Sequence, residues 1–408
     1  MMPRFIEVAA IAGRILTVDG AQVGENAVRL TAELVGIDSI NPTLVPGAAG
    51  EAKIVGFLAD RLGSDGFDIT IVEPPGMSGR ASLIAIKRFG PGPTVVLNGH
   101  VDTVGIEGMD DPFTARIEGD RMYGRGTCDM KAGVAGMAVA AQMLVADPPA
   151  AGTLICTFVA DEEDASVGTP AVFDALANEG IIADLAIVGE PSWLDVAVAH
   201  RGFAVMRVDI QGRGTHTSRK EEGVDALAAL GRLIMAVGEH DEALTRTESP
   251  HPLVGHGSSV VSVARGGTAP FTVAAQAQAW VERRTLPGES GADALAELEG
   301  VLDRLREDCP GITTDARIEL ERPAWEVTPG SAATRFIELL RKEMGGSAPR
   351  EYGAPYWMES ALWEAAGVPS LVFGPAGGSL HAIDEWVDLN QVRRYPVALS
   401  GAITRLLT

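Results

Sequence analysis

The sequence predicts an α/β protein: a layered domain with a mostly parallel sheet flanked by helices, interrupted by an inserted α+β domain. Three observations carry this. Apolar runs of strand length, Leu83–Ile86, Val95–Leu97, Thr153–Val159, Leu185–Val188 and Ser370–Phe373, alternate with helical patterns such as Lys131–Leu144 and Pro170–Leu176. Strands buried on both faces and separated by helices belong to parallel, doubly covered sheets. From about His200 the periodicity changes, and near Pro323 the first pattern resumes.

The inserted part reads as strands over Ala204–Ile210, Ser259–Ala264, Thr272–Glu282 and Ala316–Glu321, with helices over Val224–Val237 and Ala292–Arg306. Two helices over a largely antiparallel sheet form a self-contained unit. The chain therefore divides into 1–199 with 323–408, and an insertion 200–322. After the insertion, Ala332–Met344 and Glu359–Ala366 carry helical periodicity. Proline–glycine clusters such as Gly90 to Pro93 mark loops.

The chain has 408 residues, 46% of them hydrophobic and 22% charged, enough to bury two cores. Its formal net charge of −22 repels nucleic-acid backbones and anionic membranes, so neither is expected as a partner. No uninterrupted apolar stretch has the length of a bilayer span. The N-terminal segment is broken by Glu7 and Arg14 and lacks a small-residue cleavage site, so it is read as mature protein and the chain is expected to be cytoplasmic. Cys128, Cys156 and Cys309 are odd in number and far apart, which excludes a disulfide framework and a C-x-x-C metal site.

Five segments deliver histidine or carboxylate directly after an apolar strand or a glycine turn. VVLNGHVDTV carries His100 and Asp102 two apart, on one face of extended chain. A carboxylate there can accept the imidazole's spare N–H and fix the nitrogen left for a metal. GRGTCDMKAG places Asp129 just before a helix, where a plain cap is the simpler explanation for a lone acid. FVADEEDAS runs a buried strand into four acids, Asp161 to Asp164, which repel one another unless a cation or water relieves them. LAIVGEPS ends a strand on Glu190, and LVFGPAGGSLH delivers His381 from a glycine-rich loop. Each alone is weak. Together they form a borderline-hard donor set suited to Zn²⁺, Mn²⁺ or Co²⁺.

The order H-x-D, G-R-G-x-x-D-M-K-x-G, D-E-E, G-E-P and a late histidine resembles the M20 metallopeptidase family, over nearly the whole chain after about residue 30. The resemblance implies a divalent-metal hydrolase with one or two ions per chain, Zn²⁺ first and Mn²⁺ or Co²⁺ as alternatives. It implies that Asp129 bridges two ions, with His100 and Glu190 on one and Glu163 and His381 on the other. Asp102 would orient His100. Glu162 would be the general base that takes a proton from the attacking water and passes it to the leaving nitrogen. The insertion would be a dimerisation (lid) domain, so a homodimer is implied. From it His216 would stabilise the tetrahedral oxyanion in the partner's site. Arg284, two residues before Leu286-Pro-Gly, would pair with a substrate carboxylate, while Arg283 faces the other way along the strand. His200, His240, His251 and His256 match no motif and are read as structural or surface residues.

Two segments depart from the family pattern. Relatives commonly carry asparagine where this chain has Phe271, and Thr-Asp-Ala where it has Met358, Glu359 and Ser360. Phe271, Trp357 and Glu359 are therefore candidate substrate contacts, and an aromatic or otherwise planar carboxylate-bearing substrate is expected. The reaction expected is hydrolysis of an amide-type C–N bond in a small molecule. Hydrolytic deamination of an aromatic or other non-peptide amine on the same site is the alternative. An inactive metal-binding dimer would have lost part of the donor set, and a nucleotide-dependent oxidoreductase would need a glycine fingerprint this chain lacks.

Overall fold

The computed structural model describes residues 20–246 and 250–408, and the N-terminal apolar run lies outside them. The chain forms two compact units, one taking it up to Ala197 with Val327–Glu351 and Leu362–Thr408, the other Val198–Glu326 with Tyr352–Ala361.

In chain order the first unit begins with α1 (Gly20–Val35), α2 (Ala52–Ser64), β1 (Asp68–Val72), β2 (Ser82–Gly90) and β3 (Thr94–His100). It continues with α3 (Ala132–Ala146), β4 (Gly152–Val159), α4 (Gly168–Asn178) and β5 (Leu185–Val188). The second unit holds β6 (Gly202–Gln211), α5 (Ala226–Thr245), β7 (Ser258–Gly266), β8 (Gln276–Thr285), α6 (Gly291–Asp308) and β9 (Thr313–Arg322). The first unit then resumes with α7 (Ala332–Met344), β10 (Ser370–Val372) and α8 (Leu389–Leu406).

The first unit's sheet runs β1-β2-β4-β3-β5-β10. β4, β3, β5 and β10 are parallel, and β2 and β1 join antiparallel at one edge. The predicted layered α/β architecture with a mostly parallel sheet is what forms. Because β3, β4 and β5 are parallel, their carboxyl ends lie together: His100 is the last residue of β3, and Asp161 and Glu190 come two residues after β4 and β5. α3 is apolar on every side and buried, and its Gly133 lies where a Cβ would come within 2.2 Å of the Gly189 carbonyl. That contact seats the helix against the strand end that bears Glu190. The segment Thr127–Ala146 is long and apolar enough to cross a membrane by composition, but it is 78% buried within the fold.

A second, antiparallel ribbon of Arg116–Glu118, Arg121–Tyr123, Trp386–Asp388 and Gly377–Gly378 pairs Trp386 with Tyr123 and Val387 with Met122. It brings the loop after Tyr123, which holds Asp129, beside the loop before Trp386, which holds His381.

The second unit is an antiparallel sheet in the order β7-β8-β6-β9. Alternate residues of β6, Ala204, Met206, Val208 and Ile210, pack with Leu230 and Leu233 of α5 and Leu298 and Leu302 of α6. The Asp225 carboxylate caps α5 on the N–H groups of Leu227 and Ala228, and Ser290 with Asp293 forms a capping box on α6. The strand expected over Thr272–Glu282 is two strands. Thr272–Val273 pairs with Thr215–His216, and β8 starts at Gln276. Alternation along β8 buries Arg283, at 2% exposure, against Glu297, while Arg284 lies on the opposite face and pairs with Glu282.

Candidate metal centre

Asp129 occupies the centre of the cluster. Its Oδ1 lies 2.9 Å from His100 Nε2, and its Oδ2 lies 3.3 Å from His381 Nε2. His100 Nε2 is also 3.5 Å from Glu190, and His381 Nε2 is 3.1 Å from Glu163. Donor atoms of His100, Glu162 and Glu190 fall within 4.8 Å of one another, as do those of His100, Asp129 and Glu163. All five residues that the sequence nominated as ligands, with Glu162, thus meet at one place. Such a density of carboxylates and imidazoles fits divalent cations.

The electrostatics describe a site in want of positive charge. The Asp129 and Glu163 carboxylates push His381 up to about 10, so without a cation it holds a proton at neutral pH. His100 is also raised: burial opposes its charge, but Glu190, Asp102 and Asp129 outweigh it. Burial and the nearby Asp129 raise Glu163. Asp129 is lowered, because its bonds to His100 and His381 outweigh the cost of burial.

Asp102 behaves differently from expectation in one respect. His100 Nδ1 is nearer to the main-chain carbonyl of Asp102, at 3.1 Å, than to its carboxylate, at 3.5 Å. The carboxylate instead accepts the main-chain N–H groups of Glu162 at 3.1 Å and Glu163 at 3.3 Å. Burial disfavours its charge, but His100, Asn41 and the Glu162 N–H outweigh this and hold it below the usual carboxylate range.

Three residues that sequence reasoning passed over, Glu385, Arg125 and Lys131, are buried around the Asp129 loop. Glu385, 1% exposed, accepts the N–H groups of Gly126, Cys128 and Asp129 at 2.9, 2.8 and 3.1 Å, and pairs with Arg125 at 2.7 Å. Arg125 also donates to the His381 carbonyl at 3.4 Å. The only signal for Glu385 was an acid four residues past His381. Lys131 is fully buried, donates to the Ile37 carbonyl at 2.8 Å, and is pulled down to about 7 by that burial.

The remaining candidates belong to the second unit. His216 Nδ1 accepts the Ser218 N–H at 3.2 Å and lies 2.8 Å from the Ser218 hydroxyl. Phe271 is 74% exposed with φ of 64°, and its carbonyl accepts the Thr217 N–H next to His216. Trp357 is half-buried, with the Arg322 guanidinium 5.4 Å from its ring centre. Glu359 is buried at 1% exposure. His200 is a core residue pushed down to about 4 by burial, and Cys128, Cys156 and Cys309 are free thiols.

The sequence profile of peptidase family M20/M25/M40 matches residues 96–405. The chain belongs to this family. The succinyl-diaminopimelate desuccinylase of Roseobacter denitrificans is 29% identical over 393 residues, 93% of this chain and 97% of that one. The acetylornithine deacetylase of Photorhabdus laumondii is 28% identical over 376 residues, covering 89% and 92%. Among solved structures, a dinuclear metal-binding M20 peptidase of Bacillus subtilis superposes with a TM-score of 0.70 at 15% identity, covering 95% of this chain and 99% of that one. The expected family and its class, a metal-dependent hydrolase of C–N bonds, are borne out.

Proposed function

We propose that this M20 hydrolase cleaves an amide bond in a small carboxylate-bearing substrate with an aromatic or planar group. The single observation that carries the reading is the division of the Asp129 carboxylate, one oxygen toward His100 and the other toward His381. His100 and Glu190 would hold one ion and Glu163 and His381 a second, with Asp129 shared. When bound, a divalent pair lowers the pKa of water and polarises a carbonyl. Zn²⁺ is the first choice and Mn²⁺ or Co²⁺ the alternatives, since imidazole and carboxylate suit all three.

Glu162 accepts the proton of the attacking water and returns it to the leaving nitrogen, atom for atom the amide hydrolysis that yields an acid and an amine. In the homodimer, His216 of one protomer would donate to the developing oxyanion in its partner's site. Arg284 pairs with the substrate carboxylate, and Phe271, Trp357 and Glu359 complete the contacts. We also read the enzyme as a cytoplasmic homodimer. In support, β7 is an edge strand with exposed Val260 and Val263 at 54% and 40%, and α5 exposes Ile234 and Met235 at 42% and 68%. Apolar exposure of this kind marks an interface.

A panel of N-acetyl, N-succinyl and N-benzoyl amino acids, assayed for released amine beside ammonia release from aryl amines, tests the substrate class. Preference for N-benzoyl amides is expected. Robust turnover of N-acetylornithine would sink the altered-pocket reading, and ammonia release alone would replace amide cleavage by deamination. Phe271→Asn sharpens the test. A bulky residue in the left-handed region costs about 1 kcal/mol or more, and asparagine tolerates it. The variant should melt higher, yet lose kcat/KM on N-benzoyl amides.

Cation binding should release protons. His381, raised from 6.5 to about 10, supports the metal-free fold fully below its unfolded value and loses that contribution as pH rises through about 10. An entering cation must displace this proton, so affinity rises with pH across the neutral range. Calorimetric titration with Mn²⁺ in two buffers of different ionisation enthalpy reads the release directly. Identical heats in both buffers would remove His381 from the ligand set.

A further inference from the structure

The mechanism above leaves unused a buried polar chain running from the N-terminal segment to the acid loop. Asn41, fully buried, donates through one amide nitrogen to two carboxylates, Asp102 at 2.8 Å and Asp161 at 3.0 Å. Its own oxygen accepts the Thr43 N–H at 2.9 Å. The main chain here is pinned beside β3 by a bridge between Ile40 and Thr103, with the Asn41 N–H on the Thr103 carbonyl. Both carboxylates that Asn41 holds act on the loop that carries Glu162. Asp102 accepts the N–H groups of Glu162 and Glu163, and Asp161 accepts those of Ala165 and Val167 at 3.2 and 3.4 Å.

A second donor completes the arrangement. Arg80, 7% exposed, forks onto Glu51 at 2.8 to 3.1 Å, reaches Asp161 at 2.5 Å, and donates to Thr43 Oγ1 at 2.8 Å. Asp161 itself has φ of 72°, a conformation that persists only where the surroundings over-determine it. The chemistry restricts position 41 closely. Only a primary amide presents two N–H donors and one acceptor without charge. Aspartate would add a third anion between two buried ones, and an aliphatic residue would leave both carboxylates short of a donor.

We propose that Asn41 is a positioning residue for the base Glu162, acting through the carboxylates of Asp102 and Asp161, with Arg80 as its charged support. The inference rests on the assignment of Glu162 as the base. Among the described residues the Asn41 side chain bonds to Asp102, Asp161 and Thr43 and to no candidate ligand side chain, so its removal displaces the base more than it empties the centre. Misplacement of a catalytic group by about 1 Å can cost on the order of a hundredfold.

The test is a double-mutant cycle on the full-length, Mn²⁺-loaded enzyme with the best amide of the panel above. Asn41→Ala should lower kcat by roughly ten- to a hundredfold, with KM and bound Mn²⁺ close to the parent. Glu162→Gln lowers kcat further on its own. In that background Asn41→Ala should have almost no additional effect, because the group it positions is gone. Asn41→Ser, which keeps one donor, should recover part of the loss, and it carries the same cycle if Asn41→Ala does not fold. Equal costs of Asn41 substitution in both backgrounds would overturn the assignment, as would a loss of Mn²⁺ that tracks the loss of kcat. A parental kcat in Glu162→Gln would instead remove the base itself, and the functional reading with it.

Discussion

Glu162→Gln should lower kcat by about two to four orders of magnitude, the range that a positioned general base contributes. Glutamine keeps the shape and cannot take a proton. The main-chain N–H of Glu162 remains on Asp102, so the loop keeps its course. Metal analysis should therefore find the parental content, and KM should change little. Loss of metal in step with activity would make Glu162 a ligand rather than the base.

Glu385→Ala should produce the largest loss of stability. It removes the acceptor for the Arg125 guanidinium and for three main-chain N–H groups, all at a carboxylate 1% exposed. Breaking one side of a buried pair leaves an uncompensated charge and costs about 3–5 kcal/mol. Denaturant unfolding with the metal bound and removed gives the size. Glu385→Gln should fall between, because one oxygen remains to accept. An unchanged midpoint for Glu385→Ala would show that the loop needs no such anchor.

The candidate metal centre was legible because its residues share a local signature, an acid or imidazole after an apolar strand or a glycine-rich turn. His100, Asp129, Glu162, Glu163, Glu190 and His381 converge because parallel strands end together and one ribbon joins two loops. Their supporting groups have no such signature. Asn41, Arg80, Lys131 and Glu385 follow no such pattern in the sequence, yet each is 7% exposed or less. A buried ion pair is recognised only when the partner is known, and the partners here lie far along the chain. The helices α1, α2 and α8 and the strand β1 went unread, since each packs through tertiary contacts. α8 even contains Pro396. Thr272–Glu282 looked like one strand because Thr272 and Val273 lead into the apolar–polar alternation of Gln276–Glu282, but Ala274 and Ala275 carry the chain from one pairing to another.

The tie between Arg125 and Glu385 spans 260 residues of sequence, and the one from the Asp129 N–H to Glu385 spans 256. During synthesis the Asp129 loop emerges long before its anchor. The candidate centre can be completed only after the chain through Glu385 has been made and has docked. A nascent or prematurely terminated chain would carry His100, Asp129, Glu163 and Glu190 without either His381 or the residue that holds Asp129 in place. Competence to load metal would thereby report that the chain has been made and docked at least as far as Glu385.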